Sequence, residues 1–149
     1  MIADRLKGRR NSSVETAIAR ALRAMKPLDA AHEIIHFLRQ ENAGFNEVAR
    51  HQLGLILSNR VLRDRCSCLQ VLEEGLKIGD ASSIQFWLAY LHPRLGWRRI
   101  LRCLIENGPS RKMRVEFALY WMGKYSAEIK RQKLDPQLDR LKALVKGYE

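Results

Sequence analysis

The chain is 149 residues long, 46% apolar and 29% charged, and carries a formal net charge of +11. That balance describes a folded globular chain rather than a disordered one, and a chain of this size buries roughly two-thirds of its unfolded surface without a disulfide or metal. The longest apolar runs are Leu53-Gly54-Leu55-Ile56-Leu57 and Phe86-Trp87-Leu88-Ala89-Tyr90-Leu91. Both fall far short of the ~18 residues that cross a bilayer, which excludes a membrane-spanning helix.

The first helix signal is Ser12-Ser13-Val14-Glu15. A Ser at the N-cap with Glu three residues later forms a capping box, and Val14, Ile18, Leu22 and Met25 continue at helical spacing up to Pro27. Residues 1–11 precede it as a basic N-terminal segment that is open to being flexible. A second helix is predicted over 28–40. Its apolar half holds Leu28, Ala30, Ala31, Ile34, Ile35, Phe37 and Leu38, its polar half Asp29, His32, Glu33, His36, Arg39 and Gln40, and it ends at Asn42-Ala43-Gly44.

A third helix is expected from Asn46 to about residue 59, and a fourth from Asp64 to Lys77, stopped by Gly79. Asp80 is placed as the cap of a fifth, 81–91, apolar nearly all round and broken by His92-Pro93-Arg94. The sixth, 96–106, shows Trp97, Ile100, Leu101 and Leu104 as one stripe and stops at Asn107-Gly108-Pro109. The seventh is expected to be capped by Ser110 and to reach as far as Gln132. It is again apolar on most sides, through Val115, Phe117, Leu119, Trp121 and Met122. The eighth opens at Asp135-Pro136, with Leu138, Leu141, Leu144 and Val145 on its inner face. No segment alternates as a strand does. The expectation is therefore one all-α domain of about eight helices.

Those helices fall into pairs. Leu53-Gly54-Leu55-Ile56, Leu88-Ala89-Tyr90-Leu91 and Leu119-Tyr120-Trp121-Met122 occupy equivalent places in alternate helices, 35 and 31 residues apart. With the Pro in His92-Pro93-Arg94 near a turn, residues 46–132 resemble the HEAT-type α-solenoids. The resemblance implies stacked antiparallel hairpins and a binding scaffold with a concave face. The alternative architecture is an irregular bundle of the same helices.

His32-Glu33-Ile34-Ile35-His36 matches H-E-x-x-H, in which two His one turn apart hold zinc and the Glu acts as general base. Three features oppose that reading. Arg39 and Asn42 stand where an extended zinc motif needs Gly and a third His. The next acids, Glu41 and Glu47, come too early for a fourth ligand and Asp64 rather late. No strand is present to hold a substrate. The alternative is a solvated polar arc shared with Asp29 and Arg39, and His32 and His36 are metal candidates, with Glu33 as base, only under the hydrolase reading.

The positive charge is uneven: +5 over residues 1–26, −2 over 27–80, +3 over 81–108 and +5 over 109–149. Arg98, Arg99 and Arg102 share one arc of the sixth helix, opposite its apolar stripe, with Arg94 before them and Arg111, Lys112 and Arg114 opening the next helix. Stacked hairpins would align the stripe with that second cluster or with Lys130, Arg131 and Lys133. Arg suits phosphate because its planar fork donates two hydrogen bonds at once.

Trp87, Tyr90, Trp97, Tyr120, Trp121 and Tyr125 are expected in the core, and so are Cys66, Cys68 and Cys103, taken as reduced thiols. Asp4, Arg5, Lys7, Arg9 and Arg10 precede any apolar stretch, which argues against a secretory signal. The acids Asp4 and Glu15 argue against a mitochondrial one. The location expected is cytoplasmic. The leading functional expectation is a non-enzymatic helical-repeat adaptor without cofactor, binding a protein or another anionic partner. The second is a nucleic-acid-binding module using the basic face, and the third the zinc hydrolase.

Overall fold

The computed structural model describes residues 1–6, 11–40, 46–78, 83–108 and 110–147. Among these the chain is all-helical, with no strand. The elements are α1 (Ile2–Leu6), α2 (Ser12–Arg23), α3 (Pro27–Arg39), α4 (Glu47–Val61), α5 (Arg65–Ile78), α6 (Ile84–Leu95), α7 (Trp97–Asn107), α8 (Lys112–Met122), a single 3₁₀ turn (Gly123–Tyr125), α9 (Ser126–Arg131) and α10 (Asp135–Gly147). The chain divides into two compact units, Met1–Val71 and Leu72–Glu149, with α5 contributing to both.

In the first unit each helix packs on its neighbour and on the next but one: α1 on α2 and α3, α2 on α3 and α4, α3 on α4. Residues 2–6, expected as part of a loose basic segment, form a helix that buries Ile2 and Leu6. The cap of α2 is Asn11 rather than Ser12. Its Oδ1 accepts from the backbone N–H of Ser13 at 2.9 Å and of Val14 at 3.2 Å, so the amide satisfies two of the free donors of the first turn. Asn46 caps α4 as expected, accepting from Ala49 N–H at 2.7 Å. Asp64 does the same for α5, its Oδ2 accepting from Ser67 N–H at 2.9 Å.

The seam between α3 and α4 is close because Gly54 presents no side chain to Leu38. On the same seam the buried Arg50, 6% exposed, donates from Nε to the carbonyl of Leu38 at 2.9 Å. That carbonyl belongs to the last turn of α3, where it has no partner within its own helix and where a cation also meets the negative end of the helix dipole. The expected stop at Asn42-Ala43-Gly44 and the Asp80 cap lie outside the described residues.

In the second unit α6 packs on α7 and α8, α8 on α7 and α10, and α10 on α7. The core is built from Trp87, Leu88 and Leu91 of α6, Trp97, Ile100, Leu101 and Leu104 of α7, and Val115, Ala118 and Met122 of α8, closed by Leu141 and Val145 of α10. Three expectations about this unit are corrected. His92-Pro93-Arg94 does not break the helix. Pro93 sits in the last turn of α6, where one ladder bond is forfeited, and the helix stops at Gly96, whose φ of +79° turns the chain. Ser110 does not cap α8: its hydroxyl donates back to the Asn107 carbonyl at 3.3 Å, and Arg111 takes the cap position. The long seventh helix is interrupted by the 3₁₀ turn at Gly123, dividing it into α8 and α9.

The core expectation for cysteine and aromatic residues is also revised. Cys68 and Cys103 are buried but Cys66 is exposed, and all three are free. Trp87 and Trp97 are fully buried, whereas Tyr120 is 76% exposed. No helix among the described residues is long and apolar enough to cross a membrane.

Candidate anion-binding groove

The helix α7 is the most sharply two-sided of the chain. Trp97, Ile100, Leu101, Cys103 and Leu104 are buried, while Arg98 and Arg102 stand exposed on the other side. What fixes its orientation is an aromatic cluster at its first residue. The Trp97 indole stacks on the His92 imidazole from the end of α6, with centroids 4.8 Å apart and planes 13° from parallel. Tyr125 from the 3₁₀ turn closes the cluster, 4.9 Å from His92 and 4.7 Å from Trp97. Burial lowers the His92 pKa below its ordinary value, against a smaller opposing pull from Glu128, which favours the neutral form of the ring.

With its inner face locked in this way, α7 turns Arg98 and Arg102, one helical turn apart, toward α10. Arg98, Arg102, Ile105 and Glu106 of α7 and Gln137 and Arg140 of α10 line a cavity of about 310 Å³. Arg98, Arg102 and Arg140 make no ion pair among the described residues, and Glu106 supplies the groove's single carboxylate. Gln137 Oε1 is closed off from solvent without a hydrogen-bond partner there. A half-turn of that carboxamide presents an N–H donor instead, since either end of an amide serves. Three guanidiniums and an amide around one concavity can clasp the oxygens of a phosphate or sulfate group. They offer no nucleophile and no general base of their own.

The remaining cations expected at this site are engaged locally. Arg94 is half-buried in the last turn of α6. Arg99 is half-buried and donates from Nη1 to the Leu95 carbonyl at 3.4 Å. Arg111 donates to the Ser110 carbonyl at 3.3 Å, Lys112 pairs with Glu116 at 3.6 Å, and Arg114 is half-buried. The third guanidinium of the groove comes from α10 and not from either cluster the hairpin alignment suggested. Arg140 was missed because nothing local says which side of α10 meets α7. The available signal was its position next to Leu141, beside the buried stripe.

The H-E-x-x-H segment lies on α3 in the other unit. His32 and His36 are both exposed there, and His36 Nε2 is 3.1 Å from Gln40 Nε2. The Glu33 carboxylate lies 3.9 Å from the Met1 amino group. Among the described residues no three His, Cys, Asp or Glu side chains converge as a metal site. Cys103 is no nucleophile either. Burial, with Glu73 and Glu106 nearby, pushes its thiol up to about 12, outweighing a hydrogen bond from Asn107. No family model, no curated protein and no solved structure matches the chain.

Proposed function

We propose that this chain is a non-enzymatic interaction module of helical hairpins, of the HEAT-like kind, and that its second unit binds the phosphate backbone of a nucleic acid. The observation that carries the reading is the convergence of Arg98, Arg102 and Arg140 on one groove without ion-pair partners among the described residues. Like charges gathered at one concavity repel one another, and an anionic ligand relieves that repulsion. The net charge of +11 adds long-range attraction for a polyanion but specifies no site. The two thiols buried as free cysteines support placing the module in a reducing compartment, which for this reading is the cytoplasm.

The test is elution from a DNA column in a salt gradient. Arg98→Gln/Arg102→Gln/Arg140→Gln is compared with a control that removes the same charge from exposed positions in the first unit, Arg5→Gln/Arg20→Gln/Lys26→Gln. The groove variant is expected to elute at much lower salt than the control. Equal elution would reduce the binding to net charge and remove the groove from it.

A further inference from the structure

The order of charges along α7 restricts how a strand can meet the groove. Arg98, Arg102 and Glu106 stand at i, i+4 and i+8, and all three line the same concavity. They make one row, its members about 6 Å apart along the helix axis. From the N-terminal end the row is positive, positive, negative. Arg140 lines the concavity from α10, with Gln137 one turn before it. A phosphate backbone that followed α7 beyond Arg102 would meet the Glu106 carboxylate, and like charges oppose one another there. A track for a continuous polyanion gains nothing from an acid in its line. A strand that ends in the groove, and leaves on the side away from Glu106, avoids the conflict.

The charge balance points the same way. Three guanidiniums against one carboxylate leave two positive charges at the concavity. An internal phosphodiester carries a single negative charge and offers two free oxygens. A terminal phosphate monoester carries about −1.5 to −2 at neutral pH and offers three. Three guanidinium forks are therefore matched in charge and in acceptors by the monoester and not by the diester. The concavity, about 310 Å³, is at the lower end of the ~300–1,000 Å³ of small-ligand sites, so it suits one headgroup rather than a length of strand.

We propose that this groove holds the phosphorylated end of a nucleic-acid strand, with the terminal phosphate clasped by Arg98, Arg102 and Arg140. The inference rests on the nucleic-acid reading of the groove and narrows it from backbone to strand end. Glu106 is the stop of the track: its carboxylate disfavours a strand that continues past the site.

The experiment follows, by fluorescence anisotropy, the binding of short dye-labelled oligo-dT strands that differ only at the unlabelled end, which carries a 5′-phosphate, a 3′-phosphate or a hydroxyl. A hydroxyl-ended strand two nucleotides longer matches the charge of the phosphate-ended ones, which cancels the general attraction of the +11 chain. At about pH 7.5 a phosphate-ended strand is expected to bind about fivefold or more tighter than its charge-matched control, and the end that is preferred gives the polarity. The advantage should shrink as the pH is lowered through ~6, where the monoester takes up its second proton. It should be reduced in Arg140→Gln and lost in Arg98→Gln/Arg102→Gln/Arg140→Gln. These three side chains are exposed, so both variants are expected to keep the helical circular dichroism spectrum of the parent. No advantage for either phosphate over its control would overturn the proposal. In that case the backbone reading stands if the triple variant still weakens binding to every strand, and falls as well if it does not. An advantage that survives in the triple variant would place the strand end elsewhere and also overturn the proposal. So would displacement of the strand by a phosphoserine peptide as effectively as by an unlabelled phosphate-ended strand, which would assign the groove to a phosphoprotein.

Discussion

The indole of Trp87 lies directly over Gly75, so close that a single methyl group added at Gly75 would overlap the ring. Trp87 is fully buried and cannot swing aside, and the two residues together fix how α5 meets α6. Gly75→Ala is therefore expected to destabilise the chain by about 1–3 kcal/mol through overpacking. Gly123 is the opposite case. Its backbone is helical, with φ −54° and ψ −31°, and the space around it is open. Gly123→Ala is expected to stabilise by about 0.4–1 kcal/mol, because Ala restricts the unfolded chain without strain here. Urea unfolding midpoints of the two variants should move in opposite directions.

In the first unit, Arg50 is expected to matter for its hydrogen bond as much as for its charge. Arg50→Leu keeps much of the apolar stem but leaves the Leu38 carbonyl without its donor in a closed seam. A loss of about 1–3 kcal/mol is expected, the usual range for an orphaned buried group. Arg50→Lys should recover part of it, since Lys still carries a donor and a cation. Thermal unfolding of the three proteins side by side checks the order parent, Lys, Leu.

The His92 stack gives the fold a dependence on pH whose sign follows from burial. The folded pKa is lowered, so between that value and the ordinary ~6.5 the unfolded chain binds the proton and the folded chain does not. The contribution of His92 is complete above about pH 6.5 and declines as the pH falls below it. The decline ends once the folded form also titrates. Unfolding midpoints measured from about pH 7.5 to 5 should fall over that interval, and the fall should be shallower in His92→Gln. An unchanged slope in that variant would mean that the ring plays no part in the acid sensitivity.

How far the sequence reached depended on whether a pattern was local. The stripe of α7 was legible because Trp97, Ile100, Leu101 and Leu104 alternate cleanly with Arg98, Arg99 and Arg102, and the structure buries one set and exposes most of the other. Caps and stops are decided by competing neighbours. Asn11 prevails over Ser12, and Gly96, not Pro93, ends α6, since the proline removes one ladder bond without stopping the helix while a positive φ redirects the chain. Arg140 and Tyr120 were out of reach for a different reason. A helix that is apolar on most sides, like α8, does not announce which side its neighbours will leave open. An arginine beside an apolar stripe, like Arg140, does not announce which helix that stripe will meet. Both facts are tertiary.

The groove itself is tested most directly by the salt dependence of binding to a short dye-labelled DNA duplex, followed by fluorescence anisotropy. Each phosphate neutralised contributes a slope of about −0.9 to log K against log salt. If Arg98, Arg102 and Arg140 hold the backbone, replacing all three by Gln should make the slope shallower by about 2 or more and weaken binding severalfold. The control Arg5→Gln/Arg20→Gln/Lys26→Gln should keep the slope of the parent. Identical slopes in the parent and the groove variant would contradict the account.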